Sequence, residues 1–175
     1  LVEVLRRCGE KVDFEADLLA TQAGKLLLNL NNGICAMTGL SIAESVRSRD
    51  ARRAFGACIE EGLRVLAAAG IEPATVGKLP PWLLVKMLPA PDWIVLRAAP
   101  GLIQIDPRAR SSTLQDLEAG KPTEIDALHG ELVGLGARHG VETPVNGYVV
   151  ETVHRLEAAG LPVPHLTAQE VWQGI

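Results

Sequence analysis

The chain has 175 residues, of which 47% are hydrophobic, and a formal net charge of −4 at pH 7. This length and apolar fraction predict one domain with its own core, or one domain plus a small appendage. The negative charge argues against a nucleic-acid partner, which requires a clustered basic surface. The basic cluster between Arg47 and Arg53 is interpreted as a solvated helix start.

Cysteine spacing and hydropathy narrow the class of protein further. Cys8, Cys35 and Cys58 form no CxxC pair, so neither a disulfide framework nor a zinc site is predicted. No apolar run reaches the roughly 18 residues that span a bilayer, and no secretory leader opens the chain. We therefore expect a soluble, cytoplasmic protein without a membrane partner.

The first segment, LVEVLRRCGEKVDF, begins with Leu1 and is typical of a helix end, a glycine stop at Gly9 and a short strand-like run. Such a start is expected when an upstream segment has been left out, although a processed chain would look the same. After residue 15 no stretch shows sustained period-two alternation, and no Gly-rich strand-to-helix turn of the dinucleotide-binding kind occurs. The body of the chain is therefore predicted to be all-α.

Capping residues and glycine stops delimit the predicted helices. Asp17 begins a long helix that ends at Gly39, and Ser48 begins a second helix that ends at Gly70. Prolines divide the next region into short helices. The remaining predicted helices cover 82–88, 91–99, the stretch from Ser111 or Ser112 to Gly120, Pro122 and Thr123 to His139, Thr143 and Pro144 to Gly160, and a short stretch after Thr167.

The stretch KLLLNLNNG, residues 25–33, places a lysine and three asparagines inside a run of leucines. Lys25, Asn29 and Asn32 fall within a helical sector roughly 60° wide, while Asn31 points elsewhere. A solvated face explains this stripe, but asparagine forms helices poorly and its repetition has no stability motive. The stripe therefore faces either water or a ligand.

A second polar stretch, SSTLQDLEAGKPTEIDALHG, covers residues 111–130. Glu124 and Asp126 lie in the first turn of a predicted helix, where free amides and the helix dipole favour acidic residues. Asn146 has the same simple explanation as a first-turn residue. Taken one by one, these residues indicate no site.

Three stretches together resemble the C-terminal helical domain of ketopantoate reductases (2-dehydropantoate 2-reductases). They are KLLLNLNNG, an E-x-x-x-V-like helix from Glu61 to Val65, and SSTLQDLEAGKPTEIDALHGELVGLGARHGVETPVN. The resemblance spans roughly residues 13 to 160. Its most specific part is the order and spacing of S-S-x-x-Q-D, G-K-x-T-E-I-D and G-V-x-T-P-x-N.

The resemblance implies an NADPH-dependent reductase that converts a small 2-keto acid, ketopantoate, to pantoate in pantothenate biosynthesis. It also implies an N-terminal Rossmann domain of the same polypeptide that holds NADPH. Residues 1–12 are then a remnant of a linker or of that domain, and residues 13–175 form the helical substrate-binding domain. A homodimer is a further expectation.

The resemblance also implies roles for individual residues. Lys25 and Glu124 match the catalytic set, as the lysine beside the reacting carbonyl and the carboxylate that binds the substrate hydroxyl. Asn29, Ser112 and Asn32 match substrate-binding positions, with Ser112 near the substrate carboxylate. These residue types suit the chemistry, because hydride delivery leaves an alkoxide that an ammonium group stabilises and protonates.

The chain departs from the family pattern at several positions, with Ala23 in place of a tryptophan, Gly33 in place of an asparagine and Thr113 in place of a methionine. Leu128 and His129 replace an aromatic–asparagine pair. Asn31 and Asn32 are candidates to compensate for Gly33. The substrate within the 2-keto acid class thus stays open, and so does an alternative function, a non-catalytic helical module for self-association or partner binding.

Overall fold

The computed structural model describes residues 17–77, 79–95, 97 and 109–175, and the regular structure in these ranges is helical. The all-α prediction is therefore confirmed. The interpretation of residues 1–12 lies outside the described residues, as does part of the helix predicted over 91–99. The helices are α1 (Leu18–Asn29), α2 (Asn31–Thr38), α3 (Ile42–Arg47), α4 (Arg49–Ala68), α5 (Pro81–Met87), α6 (Ser112–Glu118), α7 (Glu131–His139), α8 (Pro144–Ala159) and α9 (Ala168–Gly174), with a π-helical turn over Asp126–Gly130.

Most helix limits follow from local capping interactions. The Asp17 carboxylate accepts from the Ala20 amide at 2.9 Å, so it begins α1 as predicted. Ser111, rather than Ser112, caps α6 and accepts from the Leu114 amide at 3.2 Å. The predicted stops adopt left-handed backbone angles that glycine tolerates. They are Gly39, Gly70, Gly120, Gly140 and Gly160.

Three details of the helices differ from the sequence prediction, and Arg52 of the basic cluster is buried instead of solvated. The long helix expected up to Gly39 is divided at Leu30 into α1 and α2. The short helix α3 was not predicted, although Ser41 and Glu44 form a capping box at its start. The helix expected from Pro122 and Thr123 begins only at Ile125, and its first full turn, Asp126–Gly130, is π-helical.

The helix α4 lies at the centre of the domain and packs against α1, α3, α5, α7, α8 and α9. The core around it consists of fully buried aliphatic side chains, such as Leu27, Ile59, Leu132 and Val153. Burial of each such side chain contributes roughly 1.5–3 kcal/mol. Because so many helices share α4, a polar residue on its inner face can reach several of them.

The loop that follows α4 contacts α1 at two successive turns, at Ala20 and at Gly24. The Ala74 amide donates to the Ala20 carbonyl at 2.9 Å. One turn further on, the Ala74 carbonyl oxygen lies where a Cβ on Gly24 would be, so only glycine permits this approach. The loop thus fixes the helix beside Lys25.

Several large apolar side chains are exposed. Trp82 and Trp93 are 57% and 70% exposed. The Lys86 ammonium group lies 5.5 Å from the centre of the Trp82 ring. The expected homodimer stays a prediction.

Within the described ranges, the helices are too short or too polar to cross a membrane.

Candidate functional site

The polar stripe of KLLLNLNNG lies on both sides of the break at Leu30. Lys25 and Asn29 are exposed on α1, and Asn32 is half-buried at the start of α2. Asn31 is buried and donates to Ser45 Oγ at 2.9 Å, so its role is structural. In the described part of the chain, the side chains of Lys25 and Asn29 make no hydrogen bond or ion pair, which leaves both available to a ligand or to water.

Ser112 and Glu124 meet at the surface, although twelve positions separate them. The Ser112 hydroxyl donates to Glu124 Oε1, and both residues are exposed. Ser112 is the first residue of α6, and Glu124 lies just before the π-helical turn. The structure therefore brings together two of the predicted site residues. Among the described residues, no hydrogen bond or ion pair joins this pair to Lys25, Asn29 or Asn32.

The neighbours of Glu124 explain why its side chain is held at this place. The Thr123 amide donates to Glu157 Oε1 on α8 at 2.8 Å. Ile125 is fully buried in the core. With both neighbours anchored, Glu124 extends outward towards the start of α6, where Ser112 is available as a donor.

Sequence reasoning named Glu61 only as the start of a motif and missed that its carboxylate is buried at the centre of the domain. Glu61 on α4 is fully buried and accepts from the backbone amides of Val145 and Asn146 at 3.1 and 2.8 Å. It also accepts from Asn146 Nδ2 at 2.7 Å. These amides belong to the first turn of α8, where backbone N–H groups have no acceptor within their own helix. The available signal was the position of Glu61 on the apolar face of α4, between Cys58 and Val65.

His129 continues this buried network. Its Nδ1 lies 2.8 Å from Asn146 Oδ1, and its Nε2 lies 3.0 Å from the Leu30 carbonyl oxygen. Because Asn146 Nδ2 donates to Glu61, the Asn146 oxygen faces the ring and the ring hydrogen is assigned to Nδ1. Nε2 lies at hydrogen-bond distance from the Leu30 carbonyl oxygen and donates to it when the ring is protonated.

Burial lowers the pKa of the His129 ring from 6.5 to about 4, and its contacts with Asn146 and Leu30 oppose this only in part. The unfolded chain therefore binds a proton at His129 between about pH 6.5 and pH 4, whereas the folded chain does not. We expect the free energy of unfolding to fall by up to about 3 kcal/mol as the pH drops through this window. Urea denaturation at a series of pH values measures it.

The matched variant for this pH dependence is His129→Leu, which keeps a buried side chain of similar size but cannot titrate. Its stability should be lower at pH 7, and should fall less between pH 6.5 and pH 4. The carboxylates common to both proteins cancel in the difference. Parallel pH profiles for the two proteins would show that His129 contributes no such dependence.

The described cysteines are buried thiols. Cys35 and Cys58 are free, and burial raises the pKa of Cys35 to about 11 and also raises the pKa of Cys58. Neither thiol is therefore a reactive thiolate at neutral pH. The residues that the structure describes contain no group of His, Cys, Asp and Glu side chains arranged to hold a metal ion.

Comparison with known proteins gives consistent results. A family model described as the C-terminal domain of PanE/ApbA ketopantoate reductases matches residues 17–157. A 2-dehydropantoate 2-reductase of Archaeoglobus fulgidus is 27% identical over 159 residues, which are 90% of this chain and 47% of that protein. An enzyme of the same name from Aquifex aeolicus is 44% identical over 50 residues, 29% of this chain and 16% of its own length. The chain thus spans at most about half of these curated relatives.

Solved structures share the fold. A PanE/ApbA family ketopantoate reductase from Ralstonia eutropha JMP134 superposes with a TM-score of 0.68 at 26% identity, covering 90% of this chain and 47% of that one. A D-mandelate dehydrogenase, solved with NADH and anilino(oxo)acetate, gives a TM-score of 0.66 at 22% identity, covering 90% of this chain and 59% of that one. At this identity the second likeness concerns the fold alone.

Proposed function

Because this chain belongs to the PanE/ApbA ketopantoate reductase family of oxidoreductases, as the C-terminal domain, we propose that it forms the substrate-binding half of a nicotinamide-dependent 2-keto acid reductase. The finer proposal is that NADPH reduces ketopantoate to pantoate for pantothenate biosynthesis in the cytoplasm. The partner is an N-terminal Rossmann domain of the same polypeptide. Residues 1–12 are proposed to lead from that domain into the helical domain over 13–175.

The observation that carries this proposal is the contact between Ser112 and Glu124 at the surface. Neither side chain is needed to cap α6, because Ser111 does so. An exposed hydroxyl–carboxylate pair contributes little to stability, so stability does not explain why these two residues are placed together. A substrate-binding role does explain it. Together with the available groups of Lys25 and Asn29, the pair offers complementary partners for the carbonyl, carboxylate and hydroxyl of a small hydroxylated keto acid.

The reaction places distinct demands on these residues. The nicotinamide supplies a hydride to the keto carbon, and the sequence has no Gly-rich phosphate-binding turn, so we assign its binding to the other domain. Lys25 donates a hydrogen bond to the keto oxygen, stabilises the negative charge that develops there and then gives up a proton. Asn29 and Asn32 orient the substrate and the lysine. Ser112 turns its single hydroxyl hydrogen from Glu124 to the substrate carboxylate, and Glu124 then accepts from the substrate hydroxyl.

The proposal is tested with the longer polypeptide that contains a Rossmann domain upstream of this chain. Oxidation of NADPH, and of NADH in a parallel assay, is followed with ketopantoate and other 2-keto acids. We expect turnover by the longer polypeptide and none by this chain alone. Turnover by this chain alone would contradict the assignment of nicotinamide binding to the Rossmann domain. If the longer polypeptide reduces no 2-keto acid, the proposed function is wrong, and the exposed tryptophans then favour the alternative of a self-association or partner-binding module.

The surface pair makes a separate prediction. In the longer enzyme, Ser112→Ala and Glu124→Gln should each raise KM for the keto acid about tenfold. The first removes a hydrogen bond to the substrate carboxylate, and the second replaces a charged acceptor of the substrate hydroxyl with a neutral one. Both side chains are exposed, so the melting temperature should barely change. Steady-state kinetics and thermal denaturation measure the two effects. Glu131→Gln, which removes another exposed carboxylate paired with Arg138, is the control and should leave KM unchanged.

A further inference from the structure

Buried polar contacts hold two successive residues where α1 meets α2, Leu30 and Asn31. On one side the Leu30 carbonyl oxygen faces His129 Nε2 at 3.0 Å. On the other side the Asn31 side chain donates to Ser45 Oγ at 2.9 Å. Asn29 and Asn32, two of the candidate site residues, lie directly next to this pair in the chain. The geometry of the break therefore sets how the two asparagines stand relative to each other.

The His129 ring cannot adjust freely at this place. Asn146 fixes its Nδ1 edge, and Asn146 is itself fixed by Glu61 and by the Cys58 carbonyl oxygen. This places Nε2 at hydrogen-bond distance from the Leu30 oxygen.

Gly33 makes room for the ring. A Cβ at this position would lie 2.5 Å from His129 Nε2 and 2.6 Å from Val149 Cγ1. These distances are shorter than any van der Waals contact, and the ring is anchored at its opposite edge. The missing side chain of Gly33 thus lets His129 reach the break between α1 and α2.

We infer that His129 is a positioning residue of the candidate site. Its ring, anchored by Asn146 and Glu61 and accommodated by Gly33, sets the angle between α1 and α2 through the Leu30 carbonyl. This angle fixes Asn29 relative to Asn32, and with them the direction from which Lys25 meets a substrate. The link to substrate rests on the proposed function, whereas the effect on the angle does not.

The angle between α1 and α2 is measured in this chain by residual dipolar couplings of backbone amides. His129→Leu keeps the volume of the ring approximately but removes its contacts with Asn146 and Leu30, and should change the angle. Gly33→Ala should change it too, because the ring must move away. Val149→Ala is the matched control: it lowers stability by loosening the packing beside Gly33, but leaves His129 and Leu30 in contact, and should keep the wild-type angle.

The kinetic readout uses the longer enzyme. His129→Leu should lower kcat/KM for the keto acid about tenfold and leave KM for the nicotinamide cofactor unchanged, and Val149→Ala should leave both unchanged below its melting temperature. An unchanged angle in His129→Leu, or equal changes in angle and kcat/KM in Val149→Ala, would overturn the inference. If the longer enzyme reduces no keto acid, the proposed function fails, and the dipolar couplings still decide whether His129 sets the angle.

Discussion

Replacing Lys25 by alanine in the longer enzyme is expected to lower kcat at saturating substrate and cofactor by about a hundredfold. An ammonium group beside the keto oxygen acts on charge that appears only in the transition state, so its loss affects turnover more than binding. A proton donor positioned in this way typically contributes about a hundredfold or more. Steady-state kinetics with the keto acid and nicotinamide varied in turn separates kcat from KM.

Two further variants identify what Lys25 contributes. Lys25→Arg keeps the positive charge but not a proton that is readily given up, so its kcat should lie between those of wild type and Lys25→Ala. Lys86→Ala removes another exposed lysine, next to Trp82, and should keep full turnover. If Lys25→Ala also keeps full turnover, Lys25 belongs to a solvated face and the catalytic assignment is wrong.

Replacing Glu61 by glutamine should lower the free energy of unfolding by about 3 kcal/mol or more. The carboxylate accepts from two backbone amides and the Asn146 side chain in a fully buried position. A glutamine offers one oxygen and turns its own NH2 group towards these donors, so at least one of them loses its partner without gaining water. Urea denaturation, analysed with a common m-value, measures the loss.

The control for Glu61→Gln is Arg64→Ala. The Arg64 guanidinium lies 3.8 Å from the Glu61 carboxylate, and the Arg64 side chain is 62% exposed. Such an exposed pair contributes about 0.5 kcal/mol or less, so Arg64→Ala should be nearly neutral. Equal urea midpoints for Glu61→Gln and Arg64→Ala would mean that the buried hydrogen bonds do not stabilise the start of α8 as argued.

The helix limits could be predicted because capping is local. The Asp17 carboxylate binds the amide of Ala20, three residues away, and a glycine such as Gly140 adopts its backbone angles without help from distant residues. The break at Leu30 could not be predicted in this way. It depends on His129, which is 99 positions further along the chain. An uninterrupted pattern of leucines therefore suggested one helix where the fold has two.

Of the candidate site residues, whose roles stay predictions, sequence motifs related some to each other and missed other relations. The motif residues Ser112 and Glu124 were singled out together, and the structure joins them. Gly33 and His129 were seen only as two separate departures from the family pattern, yet the His129 ring packs against the Gly33 backbone. Their relation depends on tertiary packing, which neither helical periodicity nor motif spacing encodes.

The contact between Glu61 and Asn146 also constrains the order in which the domain can fold. The two residues are 85 positions apart, so the contact closes a long loop and costs more chain entropy than any cap within a helix. Until Asn146 is available, α4 has a carboxylate on its inner face without a partner. During synthesis, completion of the core therefore waits for the start of α8 to leave the ribosome. A chain that ends before α8 should collapse without acquiring the packed core of the native domain.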